Sequence, residues 1–83
     1  MFTIKRYNQR DEVDTYLQQR ITSSGEVLMF TGNLQVAYWT DEDGMQMLFD
    51  LLPYFFDRDM MNGTAYYDYS VVDSNFNEVW INS

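Results

Sequence analysis

Hydrophobic and polar positions alternate at the start of the chain. Phe2 and Ile4 fall on one side and Thr3, Lys5 and Tyr7 on the other, which predicts a strand over residues 2–7. The period then changes. Asn8 and Asp11 carry side-chain oxygens suited to the orphan N–H groups of a helix start. Val13, Tyr16, Leu17 and Ile21 follow at i, i+3, i+4 and i+8, predicting a helix that Ser23-Ser24-Gly25 ends. Residues 26–31 and 34–40 flank Gly32-Asn33, which suits a hairpin with a type II′ turn. That register pairs Thr31, Met29 and Val27 with Leu34, Val36 and Tyr38 on one face. It pairs Phe30, Leu28 and Glu26 with Gln35, Ala37 and Trp39 on the other.

Thr40 with Asp43 gives a second capping signal, and Asp41, Glu42 and Asp43 suit the positive end of a helix. Met45, Leu48, Leu51, Leu52, Phe55 and Phe56 form its apolar side, Pro53 is expected to kink or split it, and Asn62-Gly63 to stop it. Over residues 64–72, Ala65, Tyr67, Tyr69 and Val71 alternate with Thr64, Tyr66, Asp68 and Ser70, as in a strand. Asp73-Ser74-Asn75 turns the chain into a last strand over residues 76–81. The order β-α-β-β-α-β-β predicts an α+β domain, a mainly antiparallel sheet with two helices packed against it.

Composition narrows what such a domain does. At 83 residues the chain is expected to form one small acidic domain, residues 1–83, burying roughly 60% of its unfolded surface. Aromatic residues make up 18% of it, enough to build a core in spite of the charge. It has neither histidine nor cysteine, which removes imidazole bases, thiolate nucleophiles, disulfides and the common zinc designs. Asp41 with Asp43, and Asp57 with Asp59, are paired carboxylates, but acid–base work needs a cleft that desolvates one of each pair. No glycine-rich phosphate loop is present and no serine has a partner base. Asp41-Glu42-Asp43-Gly44 looks like half of a calcium loop, yet the register that puts Gly44 at the loop's sixth position puts Trp39 at its first. The chain therefore reads as a binding protein and not an enzyme, with no cofactor and no metal.

The densest apolar patch, residues 45–56, is broken by Gln46, Asp50 and Pro53 and is too short to span a bilayer. The first residues lack a signal peptide's apolar stretch, so a cytoplasmic location is expected, and Asn62-Gly63-Thr64 is expected to be a turn and not a glycosylation site.

Charge sharpens this further. The formal net charge of −8 is uneven: residues 1–20 are close to neutral at +1, while residues 21–83 carry −9, with Arg58 against ten acids. On a helical wheel Asp43, Asp50 and Asp57 fall within about 40° of one another, with Tyr54 and Met47 beside them and the leucines opposite. Asp41, Glu42, Asp59, Asp68 and Glu78 are expected around this stripe. The field repels nucleic-acid phosphates and anionic lipid, so direct nucleic-acid or membrane binding is disfavoured. The basic trio Lys5, Arg6 and Arg10 makes too weak a patch to reverse that. The expected partner is a basic protein surface, such as a nucleic-acid-binding protein or nuclease.

In size, charge and aromatic content the chain resembles the class of small acidic inhibitors that phages direct at host nucleases, including anti-restriction and anti-CRISPR proteins that imitate DNA. That resemblance implies inhibition in the cytoplasm of a bacterial host. An immunity or antitoxin protein against a basic toxin would use the same chemistry. An assembly subunit or homodimer would instead use the apolar face expected to carry Phe30 and Trp39.

Overall fold

A computed structural model describes residues 1–23 and 25–80, with the side chains of residues 20–22, 26 and 27 set aside. The chain is α+β: β1 (Phe2–Asn8), β2 (Val13–Thr22), β3 (Gly25–Thr31), α1 (Glu42–Asn62) and β4 (Tyr67–Asp73). The strands form one antiparallel sheet in the order β3-β2-β1-β4, and α1 packs across β4 and β1. Two helices were expected from the sequence, and one is present among the described residues.

The segment expected to be the first helix is β2. Val13, Thr15, Ile21 and Thr22 are β-branched and lose rotamer freedom in a helix, while two neighbouring strands reward the extended form. Leu17 is buried in the core, whereas Val13, at the head of the helical stripe, is 50% exposed. Tyr16 points away from Leu17 and meets Phe76, ring centroids 5.7 Å apart. The capping chemistry of Asn8 is spent on the β1–β2 turn instead. Its Oδ1 accepts from the backbone N–H of Arg10 and Asp11, at 2.9 and 3.1 Å, and Glu12 takes the left-handed conformation, φ 56°. Of the residues expected to end that helix, Ser24 lies outside the described set, and Gly25 (φ 122°) pairs with Thr22 in the β2–β3 hairpin.

The expected hairpin over residues 26–40 does not form, because β3 pairs with β2 and not with the chain that follows it. Asn33 closes a side-chain turn, its Oδ1 accepting from Gln35 N–H at 3.0 Å, and Leu34 and Val36 are left exposed. Residues 38–40 serve a different purpose. β1 and β2 pair only over Lys5–Asn8 and Val13–Tyr16, then diverge, and this segment fills the fork. Tyr38 N–H donates to the Leu17 carbonyl at 2.7 Å, while Phe2 and Thr40 exchange two backbone bonds of 2.7 and 2.8 Å. Phe30 and Trp39 consequently share no face. Phe30 packs inward on Phe55 and Tyr69, and Trp39 meets Phe76.

α1 is one helix through Pro53, which is exposed and sits where only the Phe49 carbonyl loses its usual donor. Its N-cap is Asp41, whose Oδ1 accepts from Gly44 N–H at 3.2 Å, so Thr40, expected to cap, is free to bridge to Phe2. This also gives Asp41-Glu42-Asp43-Gly44 its local role as a helix start. Gly63, in the left-handed conformation at φ 72°, ends α1 as expected, with its N–H on the Asp59 carbonyl. The strand expected over residues 64–72 begins later, at Tyr67, after a turn. Beyond β4, Asp73 Oδ1 accepts from Asn75 and Asn77 N–H and Phe76 is left-handed, φ 64°, a conformation that ends the turn and keeps it out of a strand. The expected last strand is reduced to a bridge between Val72 and Glu78, and Ile81 lies outside the described residues.

A Cβ placed on Gly44 would run into the side chain of Thr40, whose backbone is pinned to Phe2. Gly44→Ala is expected to lower stability by about 1–3 kcal/mol in urea denaturation, although alanine gains roughly 1 kcal/mol in helix propensity. Adding Thr40→Gly should recover most of the loss.

Candidate functional site

The rotational setting of α1 decides which of its side chains reach solvent. Leu48, Phe55 and Asp59 are its buried residues. Phe55 stacks on Tyr69 with centroids 5.3 Å apart and an interplanar angle of 18°, and Phe56 meets the same ring edge-on at 5.2 Å. The Tyr69 hydroxyl donates to Asp59 Oδ2 at 2.5 Å, and the Thr64 hydroxyl to Asp59 Oδ1 at 3.0 Å. Burial, then the hydrogen bond to Asp59, pushes the Tyr69 phenol up to about 12. Asp59 is thus a structural carboxylate, 4% exposed, and does not join a partner-facing surface. Nothing in the pattern of acids distinguishes it from Asp57, but its place among Leu48, Leu52 and Phe55 on the wheel does.

Opposite that buried side, Asp43, Asp50 and Asp57 are all exposed and lie at heptad intervals of about 10 Å along the axis. Asp41 and Glu42 continue the acids to the N-terminal end. Gln46 donates from Nε2 to Asp50 Oδ1 at 3.0 Å, which orients that carboxylate. Arg58, the one basic residue of the helix, leans over the Phe55 and Tyr54 rings, 4.9 and 5.8 Å from their centroids. The same stripe carries large apolar side chains: Met47 is 43% exposed, Tyr54 54% and Met61 87%. A shallow recess of about 250 Å³ lies between Tyr54 and Met61, with Asp57, Arg58 and Asn62 around it.

Asp68 and Glu78 are elsewhere. Tyr69 points to α1, so its neighbour Asp68 points to the helix-free face of the sheet, opposite Tyr7 in register. There Lys5, Tyr7, Asp68, Ser70, Glu78 and Trp80 line a cleft of about 240 Å³. These two acids do not extend the helix stripe; they surround Lys5 on the other side of the molecule. The basic trio is also dispersed. Arg6 lies on the helix side between Tyr67 and Phe30, 4.2 and 4.6 Å from their centroids, and Arg10 sits over Tyr66 at 4.9 Å.

Seven of the nine expected residues lie on α1 or its cap, and six of them, Asp41, Glu42, Asp43, Asp50, Tyr54 and Asp57, are exposed there, Asp59 being buried. The exposed Met61 was missed by sequence reasoning, although at 100° per residue it falls in line with Asp43. No helix of the described residues is long and apolar enough to cross a membrane. No family model, curated protein or solved structure matches the chain.

Tyr69 is protonated in the folded state to about pH 12, against an ordinary value of 10.0. Its contribution to stability is full below pH 10 and is lost as pH rises toward 12, since the native state then holds a proton the unfolded chain has released. Tyr69→Phe should cost about 1–3 kcal/mol near neutral pH, by removing a partner of a buried carboxylate. The gap between the two proteins in urea denaturation should narrow between pH 10 and 12.

Proposed function

We propose that this chain is a protein-binding module that presents the outer face of α1 to a Lys- and Arg-rich surface, and so occupies the nucleic-acid path of an enzyme. The observation that carries this reading is the file of Asp43, Asp50 and Asp57, exposed together opposite the buried side of α1 and continued by Asp41 and Glu42. A row of carboxylates on a rigid helix supplies fixed negative charge without mobile side-chain cost beyond the short Asp stem. A basic groove that accepts phosphates is attracted to that row from a distance, which raises the on-rate and excludes the nucleic acid by occupancy. The reading needs no catalytic group on this chain. It calls for no direct nucleic-acid or lipid contact.

The division of acids between two faces supplies an internal control. Against a panel of purified nucleases, with inhibition of DNA cleavage and association kinetics measured together, Asp43→Asn/Asp50→Asn/Asp57→Asn is expected to slow association at least tenfold at low salt. Raising salt to physiological levels should slow the unaltered protein toward the variant's rate. Asp68→Asn/Glu78→Gln, which alters charge on the opposite face, should behave like the unaltered protein. Association that ignores both salt and the triple variant would exclude a charge-steered binder.

A further inference from the structure

The outer stripe of α1 holds more than acid. Between the carboxylates stand Met47, Tyr54 and Met61, so that the exposed order is Asp43, Met47, Asp50, Tyr54, Asp57, Met61. The steps run four, three, four, three, four residues, which keeps all six within about 80° of one another around the axis. A soluble helix ordinarily fills this side with Lys, Glu and Gln, since large apolar groups left there in water forgo the gain of burial. Here each apolar group is separated from the next by a carboxylate. Met60, 74% exposed, adds a further apolar side chain at the same end of α1.

Steps of three and four residues are the spacing at which one helix meets another along a shared seam. Resting on the reading of α1 as the binding face, we propose that the partner element is itself a helix, bearing Arg or Lys and aliphatic side chains alternately at the same spacing. Charge complementarity selects that occupant over a second copy of this chain. Two α1 stripes laid together would face Asp43, Asp50 and Asp57 with more carboxylates in a desolvated seam, whereas a basic helix neutralises each of them. The two kinds of group divide the work. Carboxylates bring the basic helix in, and Met47, Tyr54 and Met61 hold it once water has left, the flexible thioethers adapting to the facing side chains. The recess of about 250 Å³ between Tyr54 and Met61, bordered by Asp57 and Arg58, takes one aliphatic side chain of the partner.

The probe is a three-heptad synthetic peptide with Arg and Leu alternating at four- and three-residue steps on an Ala/Gln background, together with a scrambled peptide of identical composition. Mixed with the full chain, the patterned peptide is expected to gain helicity by circular dichroism. The methyl NMR signals of Met47 and Met61 should shift, with that of Met29, on β3, unmoved. Met47→Ser/Tyr54→Ser/Met61→Ser should speed dissociation at least tenfold with little change in association rate. The milder Met47→Gln/Met61→Gln checks the same point with side-chain length preserved. Equal binding of the two peptides, or dissociation indifferent to both variants, would overturn the helix proposal. If the Asp43/Asp50/Asp57 variant still slows association in that event, the acidic-face reading stands without it; if that variant is also silent, both fall. A dimer of the chain itself, lost in the Met47/Tyr54/Met61 variant, would likewise overturn the proposal in favour of a second copy.

Discussion

Tyr69 is the point on which the architecture turns. One side chain stacks on Phe55, receives the edge of Phe56, touches Phe30 from β3 and donates its hydroxyl to Asp59. Stacking alone would let a helix roll by a fraction of a turn, since ring contacts are broad in angle. A hydrogen bond to a buried carboxylate is directional, and losing it strands a charge in the core. The pair therefore sets the angle at which α1 lies on the sheet, and with it the identity of every side chain on the far side. Asp59 acts on the surface from inside the core: it fixes where Asp43, Asp50 and Asp57 point.

The same joint makes one helix carry two duties. Among the described residues, α1 lies mainly over β4 and β1 and reaches β3 through the contact of Phe55 with Phe30, and the aromatic rings of Phe30 and Tyr67 are completed by the guanidinium of Arg6. A cation laid on a ring satisfies the π face and keeps its own N–H groups available; Arg6 uses one on the Thr15 hydroxyl at 3.1 Å. In a small acidic chain this is an economical use of few cations. Arg6, Arg10 and Arg58 all lie against aromatic rings, so their positive charge sits beside the packing, with Arg58 alone bordering the outer stripe, next to Asp57.

The parts of this fold legible in the sequence are those whose signals are local. α1 could be read from its acids at one end, its glycine at the other and its leucines between, and β1 from strict alternation. β2 could not. Val13, Tyr16 and Leu17 satisfy a helical template, but the strand's stability comes from partners at Lys5–Asn8 and Thr31 that no local window contains. Asn8 misled for a related reason: an Asx side chain binds two successive backbone N–H groups equally well at a helix start or in a turn. Residues 34–40 failed because the hairpin prediction needed the next segment to pair with β3, a position β2 already supplies from the other direction. Six of the nine candidate site residues fell together because they are carried by the helix whose phase was correct. Asp59 was separable from them by its angle, whereas Asp68 and Glu78 needed the strand order to be seen on the opposite side.

The strand order also has a consequence in time. β2 and β3 are neighbours in sequence and close on each other through Thr22 and Gly25, a short loop that forms on the microsecond scale of hairpins. β1 lies inside the sheet, yet its second partner is the last strand, with Phe2 opposite Asp73. Until β4 arrives, β1 has an open hydrogen-bonding edge and Ile4 has no Val71 beside it. The span between them contains α1, so the sheet is sealed by a contact between distant parts of the chain, made after the local hairpins. The interval before that closure is when the nascent sheet is most open to pairing with another chain, and the dense negative charge that follows β3 keeps like chains apart while it lasts.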